Sequence, residues 1–184
     1  VPLALHGAPA RAREVAFESS LTTHPGPLAA QACAFLSALI VACLRRPADD
    51  GRSAREFVGS FAEGYAAEAL AAAEAAVAGA TRAQATLLRL LASAEPDGST
   101  ERCWNWKHEH LGVEATLRAR GRSYNGYPVS AGYFGSFSFD GLAMALHCVY
   151  HTSSFNEAVV RCVNFRGDAD TAGSICAQIA GAFY

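Results

Sequence analysis

Phe165-Arg166-Gly167-Asp168-Ala169-Asp170-Thr171-Ala172-Gly173 follows an apolar helical stretch and opens a small-residue run that ends at Tyr184. Two carboxylates two residues apart cannot share a helix face, where neighbours stand three and four apart, so Asp168 and Asp170 belong to a turn. Gly167 supplies the backbone freedom of such a turn and Thr171 adds a hydroxyl. Three oxygens converging at a helix start form half of a site for a hard cation such as Mg²⁺, Mn²⁺ or Ca²⁺. An EF-hand loop opens with the same Asp-x-Asp, but its fifth position is here Ala172 and its twelfth Ile179, which are not ligands. The competing reading is an ordinary helix N-terminus, where free N–H groups and the macrodipole favour acids. Spacing alone leaves both readings open.

Outward from this loop, the chain reads as helices. After it, Ile175, Ile179 and Phe183 form one stripe of a final helix whose other faces are Ala and Gly, fit for deep packing. Before it, Ser154-Phe155-Asn156-Glu157 is a capping box that starts a helix with Ala158, Val159, Cys162 and Val163 inward. A further helix over 140–152 turns Leu142, Ala145, Leu146 and Val149 to the core. It carries His147 and His151 one turn apart, without a third ligand, so they read as surface or satisfied core residues. From Gly121 to Gly141 five glycines interleave with six aromatics. That composition predicts an ordered, glycine-hinged loop, suited either to a nucleotide diphosphate or to packing by its own rings.

In the N-terminal half, a short helix is expected over 9–20, then a Thr22-Thr23-His24 turn, then a central core helix over 28–46 with Pro27 in its first turn. His24 stands just before that helix, where N–H groups favour an anionic or oxygen-rich ligand; a His that merely caps or packs is the alternative. Asp49-Asp50 lies in a Pro-Ala-Asp-Asp-Gly turn between helices and is read as linker. Ala-rich helices follow over 53–79 and 81–94, with Phe57, Phe61, Tyr65 and then Leu87, Leu88, Leu91 at helical spacing. Residues 95–99 form a turn. Trp104 and Trp106 read as core anchors, His108 and His110 as exposed polar residues, and 114–120 as a short amphipathic helix.

A 184-residue chain with 51% hydrophobic residues suffices for one domain with a sizeable core. The net charge of −2 comes without a Lys/Arg run, so nothing points to nucleic acid or an anionic membrane, and no uninterrupted apolar span is seen. Six cysteines show no C-x-x-C pair, and five lie in apolar helical stretches. Core thiols, a reducing, cytoplasmic setting and no zinc site are expected. No segment alternates with period two, which predicts an all-α, compact, multi-helix single domain.

Gly167-Asp168-Ala169-Asp170-Thr171 and the small-residue helix after it resemble the C-terminal signature of the ADP-ribosylglycohydrolase family. Ser19-Ser20-Leu21-Thr22-Thr23-His24-Pro25 resembles that family's mid-chain Thr-His segment. Gly132-Tyr133-Phe134-Gly135-Ser136 through Asp140-Gly141-Leu142-Ala143 resembles its glycine loop and the following helix. The three matches come in family order. The resemblance implies the family's all-α fold, Asp168, Asp170 and Thr171 as ligands of Mg²⁺ or Mn²⁺ in a two-ion centre, and His24, Gly135 and Ser136 as substrate contacts. It implies hydrolysis of a glycosidic bond to ADP-ribose on a protein or small molecule. The family's second metal motif, of Thr-Asp-Asp type, and its catalytic acid lie upstream of the Thr-His segment and are absent here, so this chain is expected to be a mid to C-terminal fragment, inactive alone, with its catalytic residues upstream of Val1. The alternative within the fold is a catalytically silent ADP-ribose reader or a crystallin-like structural member.

Overall fold

A computed structural model describes residues 1–75, 81–96, 104–112 and 135–184, together with the backbone at 123–124 and 127–128. Among these are seven helices: α1 (Pro9–Leu21), α2 (Pro27–Leu44), α3 (Ala54–Ala75), α4 (Arg82–Ala92), α5 (Ser138–Tyr150), α6 (Phe155–Val163) and α7 (Ala169–Phe183). The only extended elements described are β1 (Ser123–Tyr124) and β2 (Tyr127–Pro128), an antiparallel pair with Ser123 opposite Pro128. The fold is all-α. The helix expected over 114–120, the turn over 97–99, Cys103 and most of the glycine-aromatic loop lie outside the described residues.

The helix around which the core closes is α5, in which every residue from Phe139 to Val149 is buried. Gly141, Ala143 and Ala145 let α2, α3, α4, α6 and α7 approach it closely. Two polar residues are buried with it, and both are satisfied. Trp104 donates its indole N–H to Asp140 Oδ1 at 2.9 Å. His147 sets Nδ1 3.1 Å from the Trp106 carbonyl and Nε2 3.0 Å from Arg161 Nη2. Because Arg161 can only donate, Nε2 accepts and Nδ1 carries the proton. Both tryptophans are the core anchors expected: Trp106 is fully buried and donates to the Leu90 carbonyl at 2.9 Å.

The expected central helix, α2, contacts α1, α3, α4, α5 and α7, yet only half of it is buried. By length and composition it is apolar enough to cross a membrane, and its buried side, with Phe35, Leu39 and Cys43, accounts for much of that character. Its C-terminal end is tied to α7 by Arg46, which donates to the Phe183 carbonyl at 2.9 Å and stands 4.0 Å from the Phe183 ring centre.

Helix starts follow local chemistry. Thr81 and Gln84 form a reciprocal capping box on α4, and Ser53 and Glu56 exchange the same pair of bonds at α3. At α6 the expected box is displaced by one residue. Ser154 Oγ accepts from Glu157 N, but the Glu157 carboxylate reaches Ser153 N and Oγ. Val163 also departs from expectation, for it is exposed whereas Ala158 and Cys162 are buried. Cys148, Cys162 and Cys176, one from each of α5, α6 and α7, are fully buried and meet in mutual hydrogen-bonding contact.

Asp49-Asp50 is the linker it was read as. Asp50 binds Arg52 through both carboxylate oxygens, at 2.6–3.1 Å, and that pairing pulls its pKa down to about 2.

Candidate functional site

The acidic loop begins where α6 stops at Val163. Arg166 (φ +65°) and Gly167 (φ +67°) then take consecutive left-handed conformations, which turn the chain sharply into α7. Gly167 adopts this at no steric cost; Arg166 does so against the preference of a side-chain-bearing residue. Asp168 follows as the N-cap of α7, but its side chain makes no capping bond to the helix. It instead meets the carboxyl of Asp170. That hydrogen bond, followed by the N–H groups of Thr171 and of Asp170 itself, holds Asp170 below the usual carboxylate range. The two carboxyls therefore meet, although Asp168 is the cap and Asp170 lies in the first turn of α7, the placement of an ordinary helix start and not of a separate turn, and Thr171 is exposed in that same first turn.

The donors here are oxygens only, which suits a hard divalent cation and not zinc. Two carboxylates and one hydroxyl are fewer than the roughly six ligands such an ion takes. Among the described residues no group of three or more His, Cys, Asp or Glu side chains is placed to hold a metal. The loop fits one part of a cation shell.

Gly135 stands against this loop. Its φ is +93°, and a Cβ built on it would make ordinary contacts with Asp168, 3.6 Å from Cβ and 3.7 Å from N. The Gly135 carbonyl in turn presses on α5, where a Cβ on Gly141 would come within 3.0 Å of it. Gly135 thus lies between the start of α5 and the start of α7.

Ser136, the next residue, lines a cleft of about 690 Å³ together with Thr23, His24 and Gln178. His24 is oriented there by its neighbour, with Thr23 Oγ1 3.0 Å from its Nδ1. Of the six residues singled out in sequence, the structure brings His24 and Ser136 into one cleft and Gly135 against Asp168. Asp168, Asp170 and Thr171 do not line that cleft, and the Gly135-Ser136 step connects the two.

Two residues near these features escape a reading by sequence pattern. Cys33, expected in the core with the other helical thiols, is exposed and lines the His24 cleft, because it sits on a side of α2 that no described helix covers. Asp140, a carboxylate 1% exposed at the start of α5, fixes Trp104, whose ring packs on Phe137 and Phe139. Its signal was an acid flanked by Phe139 and Gly141-Leu142 in an otherwise apolar helix, a setting in which a carboxylate needs a buried partner.

No curated protein and no solved structure matches the chain. The family model for ADP-ribosylglycohydrolase matches residues 1–184. A match over that whole length, on an all-α body of this kind, means that the chain belongs to the ADP-ribosylglycohydrolase family, whose members are hydrolases at the level of the family.

Proposed function

We propose that this chain serves the metal-dependent hydrolysis of a glycosidic bond to ADP-ribose, releasing it from a modified protein or a small molecule. The observation that carries this reading is the approach of Gly135 to Asp168, which joins an oxygen-only acidic turn to a cleft holding His24 and Ser136. Asp168, Asp170 and Thr171 would hold Mg²⁺ or Mn²⁺. Such a cation, when bound, acidifies water and orients hydroxyl oxygens.

The chain's own residues supply binding and electrostatics. Ser136 can donate its hydroxyl to a ribose or phosphate oxygen in the cleft. His24, steadied by Thr23, presents its remaining ring nitrogen to the same space. The transition state at the ribose anomeric carbon has oxocarbenium character, so carboxylates nearby favour it over the neutral ground state. The general acid is not assigned to any described residue. Release of ADP-ribose from an ADP-ribosylated peptide by the full-length protein, with and without Mg²⁺, tests the reading. Turnover that requires Mg²⁺ and falls at least about 100-fold in Asp168→Asn supports it. Turnover unchanged in that variant overturns it, and saturable ADP-ribose binding without any turnover identifies a silent member of the family.

A further inference from the structure

A groove of about 810 Å³ runs between the start of α1, the C-terminal half of α2 and α3. It shares no lining residue with the His24 cleft. Its volume lies within the roughly 300–1,000 Å³ of small-molecule sites. Four arginines line it, and they differ in what holds them. Arg13 is paired with Glu68 at 2.8 Å and Arg52 with Asp50 at 2.6 Å, so both charges are compensated. Arg45 donates to the His6 carbonyl at 3.1 Å and Arg46 to the Phe183 carbonyl at 2.9 Å; neither forms an ion pair among the described residues, although the charge of Arg46 reaches the Asp50 carboxylate that Arg52 holds. A carbonyl partner fixes a guanidinium without cancelling its charge, and each guanidinium has further N–H donors to offer.

One wall of the groove is an aromatic stripe on α3, with Phe57, Phe61 and Tyr65 one turn apart. Among them sits Gly64, in the interior of a helix where alanine is preferred by about 1 kcal/mol. A Cβ at Gly64 would meet no atom within 4 Å, so no described packing contact calls for glycine there. Gly64 lines the groove beside the rings. Arginines at the end of α2 also complement the helix dipole. That explains their position but not the aromatic wall or the open glycine.

We propose that this groove is a second ligand site, for a nucleoside monophosphate: the base lies along Phe61 and Tyr65, and the doubly charged phosphate bridges Arg45 and Arg46. Two guanidiniums held by carbonyls and not by ion pairs match a dianion, and planar rings match a base in a way that a bare phosphate or a carboxylate cannot exploit.

Titration of the full chain with adenosine monophosphate, followed by amide NMR, tests it. Saturable shifts are expected at Gly64, Arg45 and Arg46, with adenosine and inorganic phosphate each binding at least about tenfold more weakly. Gly64→Leu fills the groove, removes no contact and improves helix propensity, so it should fold and lose the binding. Arg45→Gln with Arg46→Gln should weaken binding about tenfold or more. The Phe183 contact of Arg46 bears on folding, and Gly64→Leu keeps the test decisive if that pair fails to fold. Shifts confined to the His24 cleft, binding that survives Gly64→Leu, inorganic phosphate binding as tightly as the nucleotide, or no saturable binding would each overturn the proposal.

Discussion

Gly135 faces Asp168, thirty-three residues on in sequence, so that a Cβ on the glycine would lie 3.6 Å from Asp168 Cβ, and the glycine takes φ +93° there. The surrounding space is not what demands glycine, since a Cβ would make only ordinary contacts of 3.5–3.7 Å with Met144 and Asp168. The backbone conformation does. Gly135→Ala is therefore expected to cost about 1–2 kcal/mol through strain. A relaxed alanine would also shift the loop away from Asp168. Equilibrium urea unfolding measures the first effect. A Gly135→Ala protein with unchanged stability would show that the loop adopts another conformation.

His147 makes stability depend on pH. Burial pushes its pKa down from 6.5 to about 4, so the folded protein holds it neutral, donating to Trp106 and accepting from Arg161. The unfolded chain binds the proton more tightly, so protonation favours unfolding. The contribution is complete above pH 6.5 and is lost as pH falls towards 4, the loss amounting to roughly 2–3 kcal/mol by pH 4.5. His151, also shifted down by burial, acts in the same direction. His147→Gln should be less stable at pH 7 but show a flatter profile between pH 7 and 4.5. A variant profile parallel to that of the wild type would exclude His147 as the source.

The all-α architecture could be read from periodicity because most helices carry their own signals: Thr81 with Gln84, Pro27 at a first turn, apolar stripes every three or four residues. Which helix is central could not be read that way. Both α2 and α5 are apolar nearly all round, and only tertiary contacts decide that α5 is enclosed while α2 leaves Cys33 and Leu44 exposed. In the candidate site, a helix start at Asp168 was legible, since acids at the cap and in the first turn are what free N–H groups favour, and Asp168 caps α7 with Asp170 in its first turn. The approach of Gly135 to it was not, since a glycine in a loop gives no sign of what it approaches. Asp140 was hidden for a related reason: its partner Trp104 is distant in sequence, and no local pattern links them.

Gly173 sets the distance between α6 and α7. A Cβ there would stand 2.9 Å from Val163 Cγ1, too near for a β-branched side chain with few rotamers to yield freely. Gly173→Ala is expected to destabilise by about 1 kcal/mol, as an overpacking cost of roughly 1–3 kcal/mol outweighs a helix-propensity gain of about 1 kcal/mol. With Val163→Ala the clash disappears and the same change should become stabilising. A double-mutant cycle reads the coupling directly. Equal effects of Gly173→Ala in the two backgrounds would show that Val163 is not the obstacle.

Asp168 can be separated from an ordinary helix-start residue by what its removal does with and without cation. If Asp168 and Asp170 bind metal, the two carboxyls crowd each other in its absence, and Asp168→Asn relieves that while leaving Asp170 an N–H donor beside it. The metal-free variant should then be as stable as the wild type or more so. Wild type should gain about 3 kcal/mol at a hundred times the dissociation constant of Mg²⁺, by mass action, and the variant should lose most of that gain. Mn²⁺ should act like Mg²⁺, since the donors are all oxygen, and Zn²⁺ should not bind this loop in preference. If Asp168 only complements the dipole of α7, its replacement should cost a few tenths to about 1 kcal/mol regardless of cation. Thermal unfolding of both proteins, each with and without Mg²⁺, decides between these. A metal-induced shift of the same size in wild type and Asp168→Asn would place the cation elsewhere and remove the support this loop gives to the hydrolase reading.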